Sequence, residues 1–307
     1  MSAGFTVDER DRSCLAIRFD GAELARYSDG TGVDDYEAPK PFLHPIRTLG
    51  GADVSVFRPW DHRWHKGIQM TLSEVSGQNF WGGPTFAAGR GYERQDNVGR
   101  IRRTGLELPE RSPDGITIGE RLEWVTAGGE RWLGESRTIR FHGADPERGA
   151  WVLDFATSLT NVSGGELILG SPTTLGRPSA GYSGLFWRGP RAWTEPRVVG
   201  SDGTTGEALM GRRMPWIAMT GQNDGIDGAA AVIAYAGTSS ADVPITWFVR
   251  TQPFAAINPS PCFDHTIRLA HADVLSLSHR FVFLDLPDEA SDLVPLASKW
   301  ELEVDGR

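Results

Sequence analysis

Cysteine is scarce in this sequence, and long apolar segments are missing. The two cysteines, Cys14 and Cys262, lie far apart in the chain, so they offer neither a disulfide scaffold nor a four-cysteine zinc site. The longest nearly apolar run, residues 228–237, is about half the length of a membrane-spanning helix. We therefore expect reduced, structural cysteines and no contact with a membrane.

An export signal and an excess of basic charge are missing as well. Residues 1–12 show no apolar core or cleavage signature, which predicts a cytoplasmic protein. The 31 Lys and Arg residues are outnumbered by 40 Asp and Glu, giving a net charge of −9 and a pI near 5.3. This balance argues against binding to nucleic-acid backbones or anionic lipid, although a local basic pocket is compatible with it.

Several strong functional motifs are also missing. The chain has no phosphate-binding G-x-x-x-x-G-K-[ST] loop, no strand-linked G-x-G-x-x-G, no H-E-x-x-H, no G-x-S-x-G and no C-x-x-C. We therefore expect no nucleotide cofactor, and neither a zincin nor a hydrolase with a nucleophile elbow.

Turn-forming residues and tryptophan are abundant, with 37 Gly, 19 Pro and 11 Trp. Short runs of alternating apolar and polar residues recur between these turns, a pattern typical of all-β proteins. The pattern predicts a hairpin over residues 116–141, and strands over 151–159, 165–169, 229–235, 245–250 and 275–286. The one helix predicted late in the chain covers 291–302 and contains Pro295.

No repeat, charge block or long linker divides the sequence. We therefore expect a single domain over residues 1–307. An antiparallel chain of this length fills its own core as a large two-sheet β-sandwich, and a ligand would then bind on a sheet face rimmed by loops.

Histidines and charged residues crowd one early stretch of the chain. His62 and His65 are three positions apart, which places them on one side of a helical turn but on opposite faces of a strand. Pro59 and Gly67 flank them and favour a loop, where both rings could converge on a metal or a substrate hydroxyl, with Asp61 orienting one ring. The alternative is that both are ordinary loop histidines satisfied by hydrogen bonds.

Glu74 ends the strand predicted after this loop. Alternation along residues 68–75 places Glu74 on the apolar face, where burial would raise its pKa into the range of a general acid or base. The alternative is that the strand ends or bulges there and leaves Glu74 exposed.

A second cluster, residues 176–189, combines four glycines with arginines and aromatics. Arg188 can grip paired oxygens with its planar fork, and Tyr182 can donate a proton or a hydrogen bond. The alternative is a glycine-rich strand that packs its aromatic residues in the core. Two other patterns are expected to be structural: His279 as a satisfied core histidine, and residues 223–228 as a hairpin turn rather than a calcium loop.

Four short motifs resemble a bacterial family labelled "PmoA family" or "methane oxygenase PmoA", over nearly the whole chain. They are His44-Pro45, Arg58-Pro59-x-Asp61-His62-x-x-His65-x-Gly67, Asn79-Phe80-Trp81-Gly82 and Tyr182-x-Gly184-Leu185-x-x-Arg188. The label is misleading, because a membrane monooxygenase subunit needs several spanning helices. The resemblance implies a large β-sandwich of the galactose-mutarotase-like supersandwich type and a role in carbohydrate catabolism.

Our leading hypothesis is a sugar lyase or glycoside hydrolase. It would act on a glycoside or an oxidised 3-keto sugar by elimination or hydrolysis, because a carbonyl acidifies the neighbouring C–H bond. Zn, Mn or Fe would suit a site built from histidines. The candidate catalytic residues are His44, His62, His65, Glu74 and Tyr182; the candidate substrate-binding residues are Arg47, Arg58, Trp81, Trp187 and Arg188; the candidate metal ligands are His44, His62 and His65.

Two alternatives stay open. An aldose epimerase or mutarotase needs only an acid and a base, and a non-catalytic sugar-binding or sensing module would use Trp64, Trp81 and Trp187 as stacking platforms. Convergence of histidines with an acid or a tyrosine in one closed pocket would favour catalysis over plain binding. The expected partner is a small carbohydrate, and the sequence leaves open whether the chain forms a homodimer.

Overall fold

The computed structural model describes residues 4–288 and 291–301. Across these residues the chain forms 22 β-strands. In chain order they are β1 (Phe5–Asp8), β2 (Cys14–Phe19), β3 (Ala22–Ser28), β4 (Phe42–Ile46), β5 (Ile68–Leu72), β6 (Glu74–Val75), β7 (Thr85–Ala87), β8 (Gly91–Glu93), β9 (Arg100–Leu106), β10 (Glu110–Ser112), β11 (Gly115–Val125), β12 (Arg131–Asp145), β13 (Ala150–Asn161), β14 (Leu167–Gly170), β15 (Ser183–Arg188), β16 (Arg197–Gly200), β17 (Trp216–Asn223), β18 (Gly228–Ser239), β19 (Thr246–Arg250), β20 (Ala256–Ser260), β21 (Ile267–Leu269) and β22 (Val274–Leu286).

The strands form two large antiparallel sheets. One has eight strands in the order β1-β2-β3-β4-β5-β15-β20-β19, and the other has nine, in the order β10-β11-β12-β13-β22-β18-β17-β16 with β9 paired to β11. Two small sheets, β21-β14-β6 and β7-β8, lie beside them. The prediction of an all-β antiparallel sandwich is confirmed, as are the β11–β12 hairpin and the hairpin turn between β17 and β18.

Alternation along the strands of the eight-stranded sheet separates the core from a second apolar face. Leu185 and Trp187 of β15 pack in the main core together with residues of the nine-stranded sheet, such as Phe141. Phe186, which lies between them in sequence, belongs to a separate aromatic cluster. Because neighbouring strand residues point to opposite faces, this cluster lies on the side of the sheet that faces away from the main core.

A short helix, α1 (Leu293–Ser298), covers the corresponding outer face of the nine-stranded sheet. The Asp292 side chain caps it by accepting a hydrogen bond from the Val294 amide at 3.1 Å. Pro295 is tolerated because it lies in the first turn, where its missing N–H has no partner to lose. The helix is shorter than predicted, and Leu302 lies outside the described residues. In residues 4–288 and 291–301, helices fall short of the length and apolarity needed to cross a bilayer.

One polar cluster joins the two sheets inside the core, and we call it the core charge network. Arg137 donates to the Glu135 carboxylate and to the Tyr27 hydroxyl, both at 2.7 Å, and Arg103 donates to Glu120 at 2.7 Å. Tyr27 also donates to Glu120. Two carboxylates therefore face two guanidinium groups, so the buried charges cancel. The members of the core charge network are Tyr27, Arg103, Glu120, Trp124, Glu135, Arg137 and Thr157.

Candidate functional site

A cavity of about 600 Å³ lies over the outer face of the eight-stranded sheet, and we call it the aromatic cavity. Its walls combine aromatic rings with a few polar groups, as expected of a small-molecule site. The residues that carry the argument are Asp61, His62, Trp64, His65, Trp81, Tyr92, Arg177, Tyr182, Phe186, Arg250, Gln252 and Phe254. A second, more open depression of about 930 Å³ has no histidine, tyrosine or tryptophan among the described residues that line it.

The loop between β4 and β5 places both predicted histidines on this cavity. Two successive turns fold it: the His62 amide donates to the Pro59 carbonyl, and the His65 amide donates to the His62 carbonyl, each at 2.9 Å. The spacing of three therefore acts as it would in a helix and puts both rings on one side. The rings stack with centroids 4.8 Å apart and an interplanar angle of 25°.

His62 is held by a carboxylate that is itself anchored. Its Nδ1 lies 2.9 Å from Asp61 Oδ2, and the other Asp61 oxygen accepts from Arg191 at 2.8 Å. These contacts hold the pKa of Asp61 below its usual value, although burial opposes them. Because a carboxylate accepts hydrogen bonds, Nδ1 carries the proton and the lone pair of neutral His62 is on Nε2.

His65 is the more buried of the two histidines, with 4% of its surface exposed. Its ring packs against Phe186 at 4.7 Å and against the edge of Trp81 at 6.0 Å. Burial lowers its pKa well below the usual value, and the positive charges of Arg188 and Lys40 add to that effect. His65 is therefore neutral at pH 7, and its buried Nδ1 has no hydrogen-bond partner.

The N-F-W-G motif fixes Trp81 in the cavity wall. The Asn79 side-chain oxygen accepts from the amides of Trp81 and Gly82 at 2.8 and 2.9 Å, a local turn that orients the indole. Gly83 adopts a positive φ of 72°, and a Cβ atom there would lie 2.6 Å from the Trp64 ring. The glycine thus lets the second tryptophan approach.

A pair of tyrosines forms another part of the wall of the aromatic cavity. The Tyr92 and Tyr182 hydroxyls are 2.6 Å apart, and Arg177 donates to the Tyr92 oxygen. Burial raises the pKa of Tyr182 well above its usual value, so it stays protonated at neutral pH. The pair has two hydroxyl protons and one mutual hydrogen bond, which leaves one proton for a ligand. The Tyr182 ring also contacts Trp81 at 4.6 Å.

The cavity thus brings together four of the ten predicted site residues, His62, His65, Trp81 and Tyr182, along with Trp64. Arg188 lies beneath it, with its guanidinium carbon 4.1 Å from the centroid of the Phe254 ring.

Two candidate catalytic residues lie outside the lining of the cavity. His44 Nδ1 is 2.9 Å from Ser55 Oγ and its ring stacks on Phe57, while burial lowers its pKa to about 4. Glu74 accepts from the Gly77 amide at 2.6 Å, and burial raises its pKa. The strand ends before Glu74, as the alternative expectation had it, because β5 stops at Leu72 and β6 joins another sheet; Glu74 is nevertheless half-buried and not exposed.

Three candidate substrate-binding residues serve the fold instead of the cavity wall. Arg47 forms an ion pair with Asp53 at 3.0 Å. Arg58 binds the buried Glu37 carboxylate through two nitrogens. Trp187 is fully buried in the main core, where its Nε1 donates to the Val54 carbonyl at 2.8 Å.

The candidate metal ligands do not form a set of converging donors. His44 lies with Ser55 and Phe57, whereas His62 and His65 stack face to face, so that their rings contact one another. Across residues 4–288 and 291–301, no group of three or more His, Cys, Asp or Glu side chains is placed to hold a metal ion. The residues therefore do not fit a three-histidine site, and no step is assigned to a metal.

Sequence reasoning missed the residues that close the cavity from distant segments. Arg250 ends β19, Gln252 and Phe254 follow it, and Tyr92 belongs to β8. β19 reaches the histidine loop only through the pairing order β5-β15-β20-β19. The sequence signal that could have pointed to these residues is the run of Gln252, Pro253 and Phe254, which directly follows strand β19 and Thr251.

Solved structures similar to this chain include α-galactosidases and proteins named as galactose or aldose epimerases or their homologues. α-Galactosidase AgaA from Geobacillus stearothermophilus is 13% identical, with a TM-score of 0.38, over 94% of this chain and 40% of that chain. Galactose 1-epimerase from Lactobacillus acidophilus NCFM is 9% identical (TM-score 0.38), over 94% and 99%. An aldose epimerase homologue from C. elegans is 10% identical (TM-score 0.31), over 94% and 100%. This chain spans about two fifths of the galactosidase.

Comparison with curated protein sequences gave no match. A family model does match, over residues 14–296, which agrees with the expectation of one family spanning nearly the whole chain. Its description does not bear on the PmoA label. Since the match covers most of the sequence, the protein belongs to a family of unknown function, DUF6807.

Proposed function

We propose that this protein is a carbohydrate-active enzyme and that His62 moves a proton in the aromatic cavity. The observation that carries the proposal is the Asp61–His62 pair at the cavity wall, with Asp61 anchored by Arg191. A carboxylate that holds one ring nitrogen fixes the tautomer and stabilises the imidazolium that forms when the other nitrogen takes a proton. Such a pair is a general base, and a general acid in the return step.

The rest of the wall suits a sugar. The rings of Trp64, Trp81 and Phe254 offer apolar faces to the C–H bonds of a pyranose. The Tyr92–Tyr182 pair and Gln252 offer hydrogen-bonding groups for hydroxyls. A volume of about 600 Å³ accommodates one or two sugar rings.

We propose proton abstraction from the carbon next to a carbonyl of an oxidised sugar as the reaction. His62 Nε2 takes the proton, the C–H electron pair forms the enolate, and the spare proton of the tyrosine pair hydrogen-bonds the enolate oxygen. The enolate then expels the substituent on the next carbon, and the imidazolium of His62 gives its proton to the departing oxygen, which completes the elimination and restores neutral His62. With an unoxidised aldose, the same base and acid would open and reclose the ring, which is the epimerase alternative.

The experiment uses two probes, methyl 3-keto-glucoside and D-galactose. Loss of the methoxy group, or exchange of the C2 proton in deuterated water, is followed by NMR for the first, and anomer interconversion by polarimetry for the second. Replacing His62 by Ala is expected to lower kcat about 10²- to 10⁴-fold on the probe that reacts.

The chain offers a matched control. Asp264 and His265 form the same adjacent pair, with Nδ1 2.6 Å from Oδ1, on the surface and outside the cavity. His265→Ala is therefore expected to keep wild-type turnover. Undiminished turnover in folded His62→Ala would overturn the assignment of the base. Binding of either sugar without turnover in the wild type would favour the sugar-binding module.

A further inference from the structure

The charge around the aromatic cavity is opposite to that of the whole chain, whose net charge is −9. Among the described residues that line the cavity, Asp61 is the single carboxylate, and it is held by His62 and Arg191. Two arginines, Arg177 and Arg250, line the same cavity. The wall therefore carries more positive than negative charge.

The two lining arginines differ in what already binds them. Arg250 forms an ion pair with Glu207 at 3.3 Å and donates to the Ser179 carbonyl at 2.9 Å. Arg177 has no carboxylate partner within the part of the chain that the structure describes. One of its terminal nitrogens donates to Tyr92, and its guanidinium lies 4.7 Å from the centroid of that ring. The edge formed by Nε and the second terminal nitrogen is left for a ligand.

Two further cations lie buried behind the wall without a carboxylate in contact. Arg188 is 1% exposed; it donates to the carbonyls of Gly189 and Ala255, and its Nε has no partner. Burial lowers the pKa of Arg188 to about 10, which still leaves it charged at pH 7. Lys40 Nζ donates to three carbonyls at 2.7, 3.0 and 3.2 Å. Three donated bonds match the three N–H groups of the ammonium form, while burial lowers the pKa of Lys40 well below its usual value.

Buried cations without a counter-ion cost free energy, and a bound anion would recover part of that cost. The free edge of a guanidinium presents two parallel N–H groups, a geometry that matches the two oxygens of a carboxylate. We propose that the substrate of the aromatic cavity is a sugar acid whose carboxylate binds the free edge of Arg177. This inference rests on the proposed function and names its substrate class.

The test is calorimetric titration of the wild-type protein with two matched pairs, D-galacturonate against D-galactose and D-glucuronate against D-glucose. D-glucose 6-phosphate is included as a second type of anion. The proposal predicts at least about tenfold tighter binding of a uronate than of its neutral partner at low salt, with the preference shrinking as salt is added.

Arg177→Gln is expected to remove the preference for the uronate, and Arg177→Lys to retain part of it. Arg268→Gln is the control, because Arg268 pairs with Glu166 on the surface outside the cavity and its loss should leave the preference unchanged. Circular dichroism of each variant shows that it folds.

The outcomes distinguish a failure of this inference from a failure of the proposed function. Equal affinity for uronates and neutral sugars would overturn the inference while leaving a carbohydrate site in place. Tighter binding of the sugar phosphate than of either uronate would also overturn it, as would an unchanged preference in folded Arg177→Gln. Failure of every sugar to bind or react would overturn both proposals.

Discussion

The core charge network and the aromatic cavity both contain charged groups, but they balance those charges differently. In the network, Glu120 and Glu135 are each bound by an arginine, and the two negative and two positive charges cancel. Around the cavity, Arg177 and Arg188 have no carboxylate in contact among the described residues, and His65 Nδ1 has no hydrogen-bond partner.

The difference shows how a structural cluster can be told from a site. Two guanidinium nitrogens of the network, on Arg103 and Arg137, also lack acceptors, but each of these arginines is already paired with a carboxylate, Glu120 for Arg103 and Glu135 for Arg137. The network therefore needs nothing from outside. An unpartnered polar group next to a cavity costs about 1–3 kcal/mol until a ligand supplies the partner. We infer that the cavity, rather than the network, is under functional constraint.

The largest expected effect comes from breaking the network. Arg137→Met leaves Glu135 and Glu120 buried with one guanidinium fewer, and we expect the free energy of unfolding in urea to fall by about 3–5 kcal/mol. Arg148→Met, which removes the partly exposed ion pair with Asp145, should cost less than about 1 kcal/mol. If Arg137→Met also lowered the free energy of unfolding by less than about 1 kcal/mol, the network would not be a balanced unit.

The next effect tests the packing of the cavity wall. Gly83→Ala introduces a Cβ atom 2.6 Å from the Trp64 ring at a φ of +72°. Gly129 also has a positive φ, of +90°, but nothing lies within 4 Å of its Cβ position, so Gly129→Ala measures the backbone strain alone. We expect Gly83→Ala to lower the free energy of unfolding by about 1–3 kcal/mol more than Gly129→Ala does, and to weaken sugar binding. Equal losses of unfolding free energy in both variants would mean that the Trp64 ring moves aside at little cost.

The sequence predicted the strands well because alternation and turn residues act locally. It predicted the β11–β12 hairpin and the loop that carries His62 and His65, since Pro59 and Gly67 mark the ends of that loop. Alternation alone continued one strand through Glu74, which lies instead on β6. The strand is interrupted at Ser73, whose hydroxyl donates to the Tyr182 carbonyl at 2.8 Å. Alternation cannot show that the next residues join another sheet.

The candidate site was harder to predict, because crowding in sequence is not closeness in space. His44 lies eighteen positions from His62 in the numbering, but its ring packs against Phe57 and Ser55. Phe254, nearly two hundred positions away, has its ring 5.1 Å from that of His62. Sheet pairing order decides which distant loops meet, and a single sequence carries little information about that order.

The last effect separates a buried histidine of the core from those of the cavity. Burial lowers the pKa of His279 to about 4, while its Nδ1 lies 2.7 Å from the Ala236 carbonyl and therefore donates. The unfolded chain, with a histidine pKa near 6.5, binds a proton first as the pH falls, so stability is full above pH 6.5 and is lost between pH 6.5 and 4. His279 alone contributes about 2 kcal/mol to the loss between pH 7 and pH 5. Urea unfolding at both pH values should therefore show a smaller loss in His279→Gln than in the wild type. An identical loss would mean that the core histidine does not titrate on unfolding, and the pH dependence would then have to come from other groups, such as His65 in the cavity, whose pKa burial also lowers.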